Sequence, residues 1–394
     1  MFTKPSLCII GKTIYIENRL NHKTIAAMAS YFDVIYLIVK SAQRSIRIIR
    51  DTNAVVIALP SYKNKLFDYM SFVIIAVPTV IALSIWHKKI ILDVSEPIGG
   101  GIAAVILKLL AGKDYMFHIQ GQLLELPKKD LSGIKVAAIH YIVKVAAVYA
   151  SAVRCVSHSI FNSAVDAGIS KDKLHYLPAR CDTEQFNPDK VWPSQALKLQ
   201  WNIQDKRVLL FVGSFTVHKG VSYLIDAFSL VAQTHKDIVL LLVGSGVLEE
   251  KMKTMVSTLN IEDKVIFCGR VPYEDVALYL SIADVFVFAS IDEGLPRAIL
   301  EAMSMKVPVV ATGVGGIPEI VEHMKTGFLV EAGNSKMLSE GIATLLDSGN
   351  LSVMGDTARK TIIEKYNFQR EIQNYVEVLY SIADLPGHSE FQAR

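Results

Sequence analysis

What most constrains this chain is an alternation that occurs twice. Short, continuous runs of apolar and β-branched residues are separated by longer stretches with helical periodicity. In the first part the runs are SLCII, DVIYLIV, NAVVIAL, KIILDV, YMFHI, AVRCV and KLHYL, and helical stretches lie near 21–31, 65–86, 100–112 and 133–150. In the second part they are RVLLFVG, IVLLLVG, KVIFCG, DVFVFA and VPVVA, with helices near 220–233, 246–259, 274–282, 297–304 and 316–323. A strand that is apolar throughout must be covered on both faces. Strands that alternate with helices are joined by crossovers, so each series predicts a parallel sheet between two helical layers. Two series predict two doubly wound α/β domains. The seam falls between about 180 and 206, where CDTEQFNPDKVWPSQALKLQW holds two prolines and no strand-like run. The expected domains are 1–185 and 186–367. A last helix, about 368–384, follows completion of the second sheet, and the tail LPGHSEFQAR reads as frayed.

Composition supports this division. A length of 394 residues suits two or three domains, and 51% hydrophobic with 20% charged residues excludes a mainly disordered chain. Cys8, Cys155, Cys181 and Cys268 are scattered without a CxxC pair. That excludes a disulfide framework and the usual structural zinc spacings, and it fits a reducing compartment. The net charge of +3 conceals an asymmetry: residues 1–180 hold 22 Lys+Arg against 11 Asp+Glu (+11), and residues 181–394 hold 19 against 27 (−8). A basic first half suits an anionic partner, either a phosphorylated substrate or an acidic membrane surface; the plain alternative is an accident of surface charge.

No secretory signal is expected, since the apolar run from Leu7 is broken at Lys12. Tyr69 to Trp86 carries 18 residues without a charge, with Pro78 in the middle and the strand-like KKIILDV close behind. The first expectation is a helix packed on a sheet. The alternatives are a helix lying in a membrane surface and a membrane span.

Open parallel sheets bind ligands at the carboxyl ends of their strands. After RVLLFVG comes Gly213-Ser214-Phe-Thr-Val-His218-Lys219-Gly220, a glycine turn into a helix that lets backbone approach a phosphate, with Lys219 as a point charge. The Walker spacing is absent, and an ordinary turn with a solvated lysine is the bland reading. After IVLLLVG comes Gly244-Ser-Gly246-Val-Leu-Glu249, which is GxGxxE and lacks the dinucleotide fingerprint. The stretch Asp292-Glu293-Gly294-Leu295-Pro296-Arg297-Ala-Ile-Leu-Glu301 places one carboxylate in a loop and another, eight residues on, in the helix that Pro296 opens. Two such carboxylates can accept hydrogen bonds from separate hydroxyl groups of a sugar and a ribose. A helix-dipole acid plus a surface glutamate would explain them equally. Thr312-Gly313-Val-Gly315-Gly316-Ile-Pro318-Glu319 brings further glycine amides to a helix start.

Together these residues resemble a known family. FVGSFTVHKG, LLLVGSG, KVIFCGRVPYED, ADVFVFASIDEGLPRAILEAMSMKVPVVATGVGGIPEIV and TGFLVEAGN, in this order, are similar to the nucleotide-binding half of the family 4 glycosyltransferases. VSHSIFNSAVDAGISKDKLHYLPARCDTEQFNP resembles the segment leading to that family's interdomain linker, and the final helix resembles the one that crosses back to the first domain. The resemblance implies a GT-B fold: two Rossmann-like domains facing a cleft, with the C-terminal helix returning to the first. It implies that Glu301 binds ribose hydroxyls. Glu293 with Gly294, Leu295, Pro296 and Arg297 would hold the donor sugar. Lys219, Gly315 and Gly316 would neutralise the diphosphate, Gly213, Ser214 and Gly244 would line it, and Arg270 and Val271 would lie against the base. Three departures stand out. Ser214 occupies a place where the family often has Arg. The first loop, GKTIYIENRL at 11–20, lacks paired glycines. The histidine expected just before Gly121 is Gln120, with His118 two residues earlier.

The expected activity is a retaining transfer of sugar from a nucleotide diphosphate donor to a glycan, lipid-linked or other hydroxyl acceptor. Glu293, Lys219 and His118 are the catalytic candidates, and Glu96, Gly99, Gly100, His118 and Gln120 the acceptor-side ones. His118 reads alternatively as a histidine satisfied in the core. No metal, no cofactor beyond the nucleotide-sugar co-substrate and no nucleic-acid partner is expected. The place of action is the cytoplasm, at the membrane face if the basic first domain meets lipid. The rival expectations are a sugar-nucleotide epimerase of similar architecture and a non-catalytic nucleotide-sugar-binding subunit.

Overall fold

A computed structural model of the chain describes residues 4–11, 22–41, 45–51, 54–87, 89–121 and 133–384. Most of the first loop at 11–20, Gln122 and the tail at 385–394 lie outside the described residues. The chain forms two compact units, one of Met1–Leu177 with Gln369–Arg394 and one of Pro178–Phe368.

The first unit holds an eight-stranded sheet. Its strands are β1 (Ser6–Ile10), β2 (Ile35–Ser41), β3 (Arg47–Asp51), β4 (Ala54–Pro60), β5 (Ile90–Val94), β6 (Tyr115–Ile119), β7 (Ala152–Cys155) and β8 (Leu174–Tyr176). They run in the order β3-β4-β2-β1-β5-β6-β7-β8, and every pairing is parallel except β3 with β4. Leu7 pairs with Ile35 on one side and Ile91 on the other, so β1 is central, and its Leu7, Cys8 and Ile10 are fully buried. Helices His22–Ala29, Lys65–Trp86, Gly99–Ala111, Gly133–Tyr149 and His158–Asp166 form the connections.

The second unit holds a six-stranded, wholly parallel sheet of β9 (Arg207–Val212), β10 (Ile238–Val243), β11 (Val265–Gly269), β12 (Val285–Phe288), β13 (Val309–Thr312) and β14 (Gly327–Val330), in the order β11-β10-β9-β12-β13-β14. The strand order reverses between β9 and its neighbours β10 and β12, which makes their carboxyl ends the switch point where such sheets bind ligands.

Two strands departed from the pattern reading. β3 is RIIRD, an antiparallel edge strand whose arginines break the apolar run, and β14 is GFLV, a short edge strand opened by glycine. The seam lies at Leu177 and Pro178, ahead of residue 185. Residues just beyond it pack into the second unit: the Cys181 amide donates to the Tyr366 carbonyl, and Arg359 donates to the Phe186 carbonyl at 3.1 Å. The last helix, Phe368–Ser381, belongs to the first unit, where Ile372, Tyr375, Val376 and Leu379 are buried. All four cysteines are free thiols, and burial pushes Cys8, Cys155 and Cys268 up to about 12, away from thiolate chemistry.

Helix Lys65–Trp86 meets the packing expectation along one stripe only. Asp68, Phe72, Ala76 and Val80 are buried, and large apolar residues on its other side are exposed. By length and composition it is a helix that could cross a membrane.

Candidate functional site

The carboxyl ends of β9, β10, β12 and β13 carry the glycine turns, and backbone contact forces glycine at three of them. Gly220 (φ +61°) ends the turn after β9, and a Cβ there would lie 1.9 Å from the Ala289 carbonyl oxygen. Gly244 (φ +137°) follows β10, and its Cβ would lie 1.9 Å from the Gly213 oxygen. Gly315 (φ +54°) follows β13, and its Cβ would lie 1.8 Å from the Glu293 oxygen. Left-handed backbone and zero clearance both exclude a side chain. The turns are also tied to one another. Gly213 donates to the Val243 carbonyl at 3.0 Å and Gly244 to Gly269 at 2.8 Å; Ile291 donates to His218 at 2.9 Å and Gly316 to Gly294 at 2.8 Å.

This lattice brings Lys219 and Glu293 together from turns 74 residues apart: the Lys219 ammonium donates to Glu293 Oε1. Ser290 Oγ donates to the same oxygen at 2.8 Å, and Thr312 Oγ1 donates to the Ser290 carbonyl at 2.5 Å. Lys219 also sits 5.2 Å from the Phe288 ring centre. The ion pair is partly open to solvent, so a stronger anion can compete for the ammonium.

Glu301 stands on the helix Arg297–Ser304, whose N-cap is Pro296, and is only 5% exposed. Tyr273 Oη donates to its Oε1 at 2.7 Å. Burial pushes its carboxyl up; the Arg297 charge and the Tyr273 hydrogen bond oppose that, and the net shift is upward. The Arg297 guanidinium lies 5.5 Å from the Tyr273 ring centre and the Phe186 ring packs edge-on against Tyr273 at 5.6 Å. A buried carboxylate with one oxygen held leaves the other to accept from a ligand. Gly294, Leu295 and Pro296 are buried between the two glutamates, whereas Ser214, Arg270 and Arg297 are exposed and Val271 is half-buried.

The first-unit candidates are held differently. The Glu96 carboxylate accepts from the Gly100 amide at 2.5 Å and the Ile98 amide at 3.3 Å, at the start of the helix Gly99–Ala111 that follows it. Gly99 and Gly100 let that helix approach the sheet: their Cβ positions lie 3.1–3.3 Å from Glu96, Phe72, Tyr69, Ile10 and Val94 atoms. His118, on β6, is 4% exposed. Its Nε2 meets Asp93 Oδ1 at 2.5 Å and Tyr375 Oη at 3.1 Å, and its Nδ1 meets Gln120 Nε2 at 3.2 Å. Tyr375 Oη also donates to Asp93. With both ring nitrogens engaged, His118 has the geometry of the core reading; Gln120, beside it, is exposed. Sequence reasoning missed Tyr273, Ser290, Asp93 and Tyr375. Tyr273 lies within RVPYED, but nothing local marks it as the partner of Glu301. Among the described residues no group of three or more His, Cys, Asp or Glu is arranged to hold a metal ion.

Comparison with known proteins bears on the fold and the family. Residues 194–362 match the family model described as glycosyl transferases group 1. N-acetyl-alpha-D-glucosaminyl L-malate synthase of Bacillus anthracis is 32% identical over 188 residues, covering 47% of this chain and 49% of that protein. The amylovoran biosynthesis glycosyltransferase AmsK of Erwinia amylovora is 29% identical over 224 residues, covering 55% and 53%. The chain thus spans about half the length of these curated relatives. The crystal structure of Anabaena HepE in complex with UDP and glucose superposes with a TM-score of 0.77 at 19% identity, over 95% of this chain and 99% of that one. Two Rossmann-like sheets and the structural likeness show the GT-B fold, and the family match is carried by residues 194–362, within the second unit, which match the glycosyl transferases group 1.

Proposed function

We propose that the chain is a retaining glycosyltransferase that moves a sugar from a nucleotide diphosphate donor to a hydroxyl acceptor in polysaccharide or glycoconjugate biosynthesis. The observation that carries this reading is the Lys219–Glu293 pair, seated against the Gly315 backbone, with the buried Glu301 eight residues beyond Glu293 on the helix that follows its loop. A diphosphate oxygen competes with Glu293 for the ammonium. The released Glu293 carboxylate then accepts from a sugar hydroxyl, so donor binding exchanges one ion pair for two ligand contacts. Glu301, oriented by Tyr273, accepts from the ribose. Gly213, Ser214 and Gly244 line the diphosphate turn, Gly294 to Arg297, Gly315 and Gly316 add backbone and guanidinium contacts, and Arg270 and Val271 flank the base.

The acceptor hydroxyl approaches the anomeric carbon on the leaving-group side. The bond from that carbon to the phosphate oxygen breaks, the new carbon–oxygen bond forms on the same face, and the hydroxyl proton passes to a phosphate oxygen. Leaving-group charge rests on Lys219 and amides, so the step requires neither a metal nor a strong protein base. Of the first-unit candidates, Gln120 is the group open to an acceptor; His118 orients it from the core, and Glu96, Gly99 and Gly100 shape the neighbouring strand end. The relatives named for glycan synthesis and the UDP and glucose bound to HepE support donor and acceptor of these classes. The basic first half supports the reading of peripheral contact with an acidic membrane at its cytoplasmic face.

The test is turnover of a nucleotide-sugar and acceptor panel in the presence of a chelator. Wild type stays active. Lys219→Ala lowers kcat by about 10²–10³-fold, and Glu301→Ala weakens nucleotide binding. Wild-type behaviour of both variants refutes the site. Loss of activity in chelator that a divalent ion restores refutes the metal-free step.

A further inference from the structure

A surface helix normally turns apolar residues inward and polar ones outward. Helix Lys65–Trp86 does the first and not the second. Opposite its buried stripe, Phe67, Met70, Ile74, Pro78, Ile81 and Ile85 follow one another at three- and four-residue spacing, and all are exposed. Ile74 is 67% exposed, Ile85 80% and Trp86 84%. No charge interrupts the helix after Asp68, and its 22 residues extend about 33 Å. The helix Gly99–Ala111 packs beside it and repeats the arrangement, with Leu109 and Leu110 exposed. Between that helix and Gly133–Tyr149 runs an apolar groove of about 190 Å³, walled by Ile102, Val105, Ile106, Tyr141, Ile142 and Val145. So large a continuous apolar surface is foreign to a face that meets only water.

The rim identifies the occupant. Exposed Lys63 and Lys65 stand at one end of the long helix and exposed Lys89 at the other, with Trp86 beside it; Lys135 and Lys144 are exposed on the third helix. Lysines and tryptophan around an apolar strip match the headgroup level of a bilayer, where stems lie on hydrocarbon and charges meet anionic lipid. A second copy of the chain would bring the same lysines face to face, a like-charge contact that anionic headgroups instead neutralise. The helix also cannot leave its unit cheaply. Asp68 is ion-paired with the buried Lys40 at 2.7 Å, and His87, at the far end, meets Tyr36 Oη at 2.7 Å and Ser6 Oγ at 2.9 Å. Anchored at both ends to the sheet, it would have to break these contacts to cross a membrane, whereas lying along one keeps them.

We propose that the outer face of these three helices docks on an anionic bilayer, with the Phe67–Ile85 stripe sunk to the acyl boundary and the groove open to an acyl chain. This deepens the membrane contact proposed above and is independent of the sugar-transfer site. The full chain is sedimented with phosphatidylcholine vesicles with and without phosphatidylglycerol, at low and high salt; thermal unfolding is measured as the control for folding and nucleotide binding as the control for the second unit. Wild type sediments with the anionic vesicles, more at low salt. Ile74→Glu with Ile81→Glu lowers the bound fraction about tenfold or more, and Lys63→Glu with Lys65→Glu removes the salt-sensitive part, with nucleotide affinity unchanged in both. The proposal is overturned if wild type stays in the supernatant, if both variants bind as wild type, or if the face instead holds a lipid-free dimer that Ile74→Glu with Ile81→Glu splits. Turnover of a water-soluble acceptor reports on the transfer site separately.

Discussion

Replacing Tyr273 by phenylalanine removes one hydroxyl and little else. The ring remains, so the Arg297 contact at 5.5 Å and the Phe186 edge contact at 5.6 Å persist. What disappears is the 2.7 Å hydrogen bond to Glu301, a carboxylate only 5% exposed. A charge-assisted bond of this kind contributes about 1.5–3 kcal/mol. The loss has two consequences with the same sign. The carboxylate is less well held for a ribose, which weakens nucleotide binding by roughly 10–100-fold at 1.4 kcal/mol per decade. Its carboxyl, already raised by burial against the opposing Arg297 and Tyr273 contributions, rises further. The protonated form accepts hydrogen bonds poorly, so affinity falls as pH drops through that value, and in the variant the fall begins at a higher pH. Titration calorimetry with whichever of UDP, GDP or ADP binds wild type, taken from mildly acidic to mildly alkaline pH, reads both effects. Wild-type affinity together with an unmoved pH profile refutes the claim that Glu301 meets the nucleotide and that Tyr273 orients it.

Gly315→Ala places a methyl 1.8 Å from the Glu293 oxygen at φ +54°, so the Glu293 loop must move by an ångström or more; turnover falls about 10²-fold or more, measured as kcat, while the melting temperature moves by only a few degrees. Tyr375→Phe takes one partner from the buried Asp93 and lowers stability by about 1–3 kcal/mol in denaturant titration. Burial alone would raise the Asp93 carboxyl, but His118, Tyr375 and Arg154 together hold it below its usual 3.8. Its stabilising contribution is therefore present above the unfolded value and is lost as pH falls through the folded one. In the variant the acid transition starts at a higher pH.

Much of the architecture is legible in the sequence because a strand buried on both faces must be continuously apolar: RVLLFV and IVLLLV admit little else. RIIRD and GFLV escape because edge strands are released from that demand. The grouping of Lys219 with Glu293 is foreshadowed by glycines at Gly220 and Gly315, which a turn held against another turn's carbonyl requires. Tyr273 is invisible because its value depends on reaching Glu301, 28 residues away, through space alone. His118 shows where the sequence leaves two readings open. A histidine at a strand end reads as a site residue or as a core histidine, and of the partners that engage its ring, Asp93 and Tyr375, the second arrives 257 residues later.

That late arrival has a consequence for biosynthesis. Asp93 and its tyrosine partner are separated by 282 residues, whereas the Pro178–Phe368 unit is one uninterrupted segment. As the polypeptide leaves the ribosome, the first unit stays without the helix that carries Tyr375 until the later-made half has been completed. The downstream unit can thus become native before the upstream one, and a chain stopped short of Tyr375 lacks one of the groups that hydrogen-bond Asp93.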